Sequence, residues 1–221
     1  MYSQTLYMRS VETRSDPKSA RESIIRAAFR AFGEGGIEAT SLREVARAAG
    51  VSPALVVHHF GGKEGLVAAA DEAALREFGA AYRRAEGSDG EPAEERDLLR
   101  ERAAQTARVM AEMPEVCRYL GRALVEGTAG SASLFRMMIE AGRREVDSLA
   151  DEGALRPDAD REWATLQHFF LIWAPLSFMP LLREALGGDL LAPGQLGPWV
   201  DANVKLLEVG LYKGGEGGSG R

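Results

Sequence analysis

The polar residues between positions 40 and 63 carry hydrogen-bonding groups but no catalytic set. Thr40, Ser41 and Ser52 offer hydroxyls, Arg43 a planar guanidinium, His58 and His59 ring nitrogens, and Lys63 an ammonium. The 221-residue chain has three histidines and one cysteine, scattered, with no Ser-His-Asp order, no Gly-rich phosphate loop after a strand and no metal-ligand spacing. His58 and His59 are adjacent, so on a helix their rings diverge, and no Cys or Asp cluster lies near them. No catalytic residue, metal or cofactor is expected. What such donors can do is contact phosphate oxygens and base edges. Arg43 suits a bidentate pair to O6 and N7 of guanine. Thr40, Ser41 and Ser52 sit at helix starts, where hydroxyls and backbone N–H groups meet phosphate. His58 and His59 can donate to phosphate, and Lys63 is a candidate phosphate anchor. Pro53, Ala54 and Leu55 can supply only apolar contact, for instance to thymine methyls.

Short elements must hold these groups in place. Ser41 and Glu44 form a capping-box pattern opening a helix through Leu42, Val45, Ala46 and Ala49. Gly50 breaks it at no steric cost in a left-handed turn. Ser52-Pro53 restarts a helix as N-cap and first helical residue, running to about Phe60, and Gly61-Gly62 ends it. Val45, Ala49, Val51 and Val56 point inward, and Ala46 is small where the second helix crosses the first. This is a helix-turn-helix, with the tip of its second helix free to enter a major groove. Ahead of it, Asp16-Pro17 starts a helix burying Ile24, Ile25, Ala28, Phe29 and Phe32, stopped by glycines at 33–36. After it, a long helix from Lys63 to about Glu86 leads into a linker, "EGSDGEP". Helices follow at about 93–112, 115–126, 131–152, 158–183 and 195–212, with Pro175 and Pro180 expected to kink or shorten the fourth of these. The fold class is all-α.

Composition is that of an ordinary globular chain, with 45% apolar and 27% charged residues. Net charge is −6, but residues 1–63 carry nine Lys/Arg against six Asp/Glu, a balance of +3. The remainder carries eighteen against twenty-seven, a balance of −9. A basic front and an acidic rear suit a protein that touches phosphate at one end. The single Cys117 precludes an intrachain disulfide and fits a reducing compartment, so a cytoplasmic location is expected. No run of 18 uncharged apolar residues points to a membrane, and the N-terminus lacks a signal-peptide core.

The stretch "IIRAAFRAFGEGGIEATSLREVARAAGVSPALVVHHFGGKEGLV" resembles the TetR (tetracycline repressor-like) family of transcriptional regulators, over roughly residues 19–75. The resemblance implies a three-helix DNA-binding domain at residues 16–62 and a helical ligand-binding and dimerisation domain at 63–212. Polar and glycine-rich compositions, respectively, make 1–15 an expected disordered arm and 213–221 an expected flexible tail. The resemblance further implies a homodimer, paired through the last two long helices, on a near-palindromic operator of double-stranded DNA. It also implies a repressor released when a small molecule moves the fourth helix. Many relatives carry tyrosine where this chain has Val57 and threonine where it has Leu55, so His58, His59 and Lys63 carry more of the phosphate contacts here. The regulatory half is rich in Met and aromatic residues. Met110, Met113, Phe135, Met138, His168, Phe169 and Trp173 are the candidate lining of a site for a mainly hydrophobic ligand. The alternative is a DNA-binding protein of the same fold without a small-molecule inducer, controlled by a protein partner. It predicts a filled core.

Overall fold

A computed structural model of the protein describes residues 17–86, 98–192 and 194–211. Ten helices, and no strand, occur among the described residues. They are α1 (Pro17–Gly35), α2 (Leu42–Ala49), α3 (Pro53–Phe60), α4 (Lys63–Glu86), α5 (Leu98–Glu112), α6 (Pro114–Glu126), α7 (Ser131–Asp151), α8 (Arg161–Ser177), α9 (Met179–Leu186) and α10 (Leu196–Gly210). The arm at 1–15, the expected cap Asp16, nearly all of the linker and the tail at 213–221 lie outside the described residues.

The apolar spacing of α1 works as expected. Ile24, Ile25, Ala28, Phe29 and Phe32 are all buried, and Phe29 and Phe32 meet the Tyr119 ring of α6 at centroid distances of 5.2 and 6.3 Å. α1 packs on α2, α4 and α6, α8 on α6 and α7, and α10 on α5. One contiguous apolar cluster therefore runs from Ile24 at the front to Leu207 at the rear. Two close crossings tighten it. A Cβ on Gly33 would come within 3.0 Å of the Arg118 Cβ, and one on Gly121 within 2.8 Å of the Leu176 carbonyl, so glycine alone allows α6 to touch α8 backbone to backbone.

The single helix expected at 158–183 is two. α8 ends at Ser177 and α9 leaves at a bend of 80°. Pro175 is accommodated inside α8, and the break falls at Phe178, which precedes Met179-Pro180. Pro180 has no N–H to continue the ladder of α8, and its ring would clash with the carbonyl four residues back; Phe178, between the two helices, has φ −105°, ψ 18°. No single helix among the described residues is long and apolar enough to cross a membrane.

Candidate nucleic-acid interface and the cavity behind it

The turn between α2 and α3 is built from local hydrogen bonds. The Ser41 hydroxyl accepts from the Glu44 N–H at 3.3 Å, and the Glu44 carboxylate accepts from the Ser41 N–H at 2.7 Å. The Ser41 N–H and hydroxyl hold the exposed Glu44 carboxyl below its usual range. Gly50 adopts φ 69°, ψ 29°, and its N–H reaches back to the end of α2. The Ser52 hydroxyl accepts from the Leu55 N–H at 3.2 Å, and Pro53 occupies the first helical position. Val45, Ala46 and Val56 are fully buried beneath the turn.

These bonds present one exposed surface. Arg43 on α2, and Ser52, Pro53, Ala54 and His58 on α3, are exposed; Leu55 and His59 are half-buried beside them. Ser41 is exposed too, with its hydroxyl also donating to Glu44 at 2.7 Å. Lys63 lies at the edge, its ammonium donating to the Glu38 carbonyl at 2.7 Å and keeping two further N–H groups. Thr40 departs from expectation. It is buried, and its hydroxyl donates to the carbonyls of Gly36 at 2.7 Å and Ala31 at 3.2 Å. That hydroxyl closes the C-terminal turn of α1 and does not face the outer surface.

Two carboxylates tie this front to the body. Glu126, the last residue of α6, accepts from the Ile37 N–H at 2.9 and 3.1 Å and from the Glu38 N–H at 2.9 Å. Asp71 of α4 is almost fully buried and accepts from the Tyr119 hydroxyl at 2.7 Å, the Thr128 hydroxyl at 3.2 Å and the Gly130 N–H at 3.0 Å. Burial, with the neighbouring Asp71 charge, pushes the Tyr119 phenol well above its usual range, so it stays a donor. The end of α6 and the turn after it thus hold both the segment leading into α2 and the middle of α4.

Behind lies a cavity of about 100 Å³ between α4, α5, α7, α8 and α10. Of the expected lining, Met138, His168, Phe169 and Trp173 are on its wall. Met110, Met113 and Phe135 are not. The α5 wall, Leu99, Arg102, Ala103 and Thr106, ends one turn before Met110, which is buried in packed core instead. Met113 caps α6 beyond it. Phe135 precedes Met138 by one turn of α7 and opens onto an outer groove with Phe169 and Phe170. Sequence reasoning missed Phe78 and Tyr82 of α4, Arg102 of α5, Glu145 of α7, and Trp199 and Asn203 of α10. The i, i+4 pair Phe78 and Tyr82, past the head on a continuous helix, was a readable signal; Arg102 and Glu145 had none, because exposed helix charges look the same. The His168 Nδ1 lies 2.7 Å from the Ala164 carbonyl, and burial, only partly offset by that bond, holds the ring below its usual pKa. Cys117, fully buried, is pushed by burial up to about 12 and is no nucleophile. Among the described residues no group of three or more His, Cys, Asp or Glu could hold a metal ion.

Residues 24–70 match the family described as "Bacterial regulatory proteins, tetR family". The HTH-type transcriptional regulatory protein RaaS of Mycobacterium tuberculosis is 33% identical over 147 residues, 66% of this chain and 65% of that protein. The HTH-type transcriptional regulator BetI of Rhizobium meliloti is 49% identical over 49 residues, 22% of this chain and 24% of that protein. The chain thus spans less than two thirds of these curated relatives. Among solved structures, a gamma-butyrolactone receptor (ArpA like protein) superposes with a TM-score of 0.68 at 19% identity, covering 89% of this chain and 90% of its own. The ketosteroid transcriptional regulator KstR2 of Mycobacterium tuberculosis gives 0.63 at 18% identity, covering 87% and 95%. At these identities the likeness is one of fold.

Proposed function

Because this chain belongs to the tetR family of bacterial regulatory proteins, we propose that it is a homodimeric repressor. It binds a near-palindromic operator and leaves when a small molecule enters the rear cavity. The observation carrying this reading is the course of α4. It begins at Lys63, beside the exposed surface of α2 and α3, and reaches the cavity wall at Phe78 and Tyr82. One rigid helix therefore spans both places, and a ligand that shifts its far end shifts the head. Residues 16–62 are the DNA-binding unit and residues 63–212 the sensing and pairing unit.

Arg43 reads a base edge, Pro53, Ala54 and Leu55 give apolar contacts, and Ser41, Ser52, His58, His59 and Lys63 position the duplex by its phosphates. Pairing uses apolar stripes that a single chain leaves bare: Trp163 and Phe170 along α8 with Phe178 just past its end, and Leu206 and Val209 on α10. Trp199, Ala202, Leu206 and Val209 recur at three- and four-residue steps, the spacing of a helix-to-helix seam. A regulator of operon DNA works in the cytoplasm, and we place it there. The alternative without an inducer predicts a filled core, against which the cavity stands.

The test is a titration of purified protein against the duplex upstream of its own gene, by gel retardation at low salt with a footprint. A symmetric protected site, lost on adding an effector, is expected. Absence of retardation at low salt would overturn DNA binding.

A further inference from the structure

Resting on the reading of the protein as a dimer that spans two half-sites, we infer that Glu126 is a positioning residue for DNA recognition. It sets the angle of the head on the body, and with it the half-site spacing that the dimer accepts. Glu126 stands where its charge is unwelcome. It ends α6, at the pole where the helix dipole is negative and a cation is the favoured side chain. No cation pairs with it among the described residues. Its partners are amides of the front: the Ile37 N–H donates to its two oxygens at 2.9 and 3.1 Å, and the Glu38 N–H donates at 2.9 Å. Gly36 leaves room for the carboxylate, since it has φ 88° and a Cβ on it would come within 3.1 Å of one Glu126 oxygen.

These bonds do what the packing beside them cannot. α1 crosses α6 at Gly33 on Arg118, with Phe29 and Phe32 on the Tyr119 ring. Apolar contact is non-directional, so it holds two helices together without fixing their angle. A hydrogen bond weakens steeply as it is bent or stretched. An α-helix rises about 1.5 Å per residue, so Glu126 stands about 12 Å along α6 from Arg118. The crossing and the clamp are therefore two separated points, and two points define an orientation where one leaves a pivot. With the clamp gone, a slip of about 1 Å at that distance turns the head by about 5°.

Other ties from α1 to the body are softer. Arg26 pairs with Glu77 of α4 at 2.9 Å and Arg30 with Glu115 of α6 at 3.5 Å, each through an exposed guanidinium on a long side chain that follows a small rotation. α4 cannot act as an independent second anchor, because Asp71 fastens it to the same end of α6 through Tyr119, Thr128 and Gly130. The angle of the head matters on DNA because half-sites one helical turn apart lie about 34–36 Å and 10–10.5 base pairs from centre to centre, or about 3.4 Å per base pair. Two heads held at fixed angles tell neighbouring spacings apart, and two heads that rock do not.

The test compares the native full chain with E126A on three duplexes: the footprinted operator, and the same operator with one base pair added to or removed from its centre. Native protein is expected to bind the natural spacing about tenfold or more tighter than either altered one, and E126A should bring that ratio close to unity. A residue that only stabilises the fold would lower the melting temperature and weaken all three duplexes by one factor, so an unchanged ratio in E126A overturns the proposal. E126K, whose ammonium suits the end of a helix but cannot accept from the two amides, takes the place of E126A should that variant fail to fold, with the same two outcomes. Native protein that binds all three spacings alike also overturns the proposal. Native protein that binds none of them refutes the DNA-binding reading itself, and the proposal with it.

Discussion

Two residues separate Thr40 from Arg43, and burial divides their roles. Arg43 projects from α2 into solvent with its five donors available to a duplex. Arg43→Ala should weaken operator binding by about 1–3 kcal/mol and relax specificity at one position per half-site. Titration against a set of single-base operator variants reads both, and an unchanged profile removes Arg43 from base reading. Thr40 spends its hydroxyl on the Gly36 carbonyl. Thr40→Val should therefore destabilise the fold by about 1–2 kcal/mol and leave the salt dependence of DNA binding as it was; a salt slope lowered by about one unit would mean that the residue touches phosphate after all. His168 adds a pH effect. Its folded pKa lies below the unfolded value of 6.5, so as pH falls through that value the unfolded chain takes up a proton that the folded one refuses. Stability then falls with falling pH between the two values. Urea melts from pH 7.5 to 5.5 should show this slope in the native protein and a smaller one in His168→Gln.

At the scale of elements, the turn leading into α2 is held from afar. The Glu126 carboxylate bridges the amides of Ile37 and Glu38, 89 and 88 residues away. Bonds to a charged acceptor are the stronger kind, at about 1.5–3 kcal/mol each. Glu126→Gln keeps one acceptor oxygen and loses the charge. Amide exchange at Ile37 and Glu38 should then quicken markedly, while the amides of α8 keep their native rates; unchanged exchange at the two amides would mean the clamp carries no weight. The same turn takes Lys63 on the Glu38 carbonyl, so two oppositely charged side chains fasten consecutive peptide units ahead of α2. α9 shows the opposite case, a local rule setting global shape. The proline at the start of α9 and the non-helical Phe178 turn a continuous apolar run through 80°, which ends the α8 stripe at a defined point.

For the whole molecule, α8 and α10 leave apolar side chains bare among the described residues. Val209 is 81% exposed and Trp163 62% exposed, values that suit a covered interface better than solvent. Val209→Asp should shift sedimentation from dimer to monomer and shorten the operator footprint to one half-site, with helical content retained. A native protein that sediments as a monomer at micromolar concentration would refute the pairing. α8 and α10 both line the cavity while packing on different partners, α8 on α6 and α7, α10 on α5.

Residues that act within one helical turn were readable from the chain alone. Ser41 with Glu44, Gly50, and Ser52 with Pro53 satisfy or terminate helix ends by bonds spanning four residues or fewer, so the head, its caps and its exposed tip followed from order and spacing. The burial of α1 followed likewise, because one face of a helix repeats every three to four residues. The tertiary structure alone decided which helix face meets a void rather than a neighbour. Met110 and Met138 are alike in sequence context, yet only Met138 reaches the cavity, and the pairing of Arg102 with Glu145 and of Glu126 with Ile37 joins residues 43 and 89 apart. Such contacts depend on how helices cross, set by side-chain fit summed over the whole core and by close approaches such as Gly121 on Leu176, and no local pattern encodes that sum.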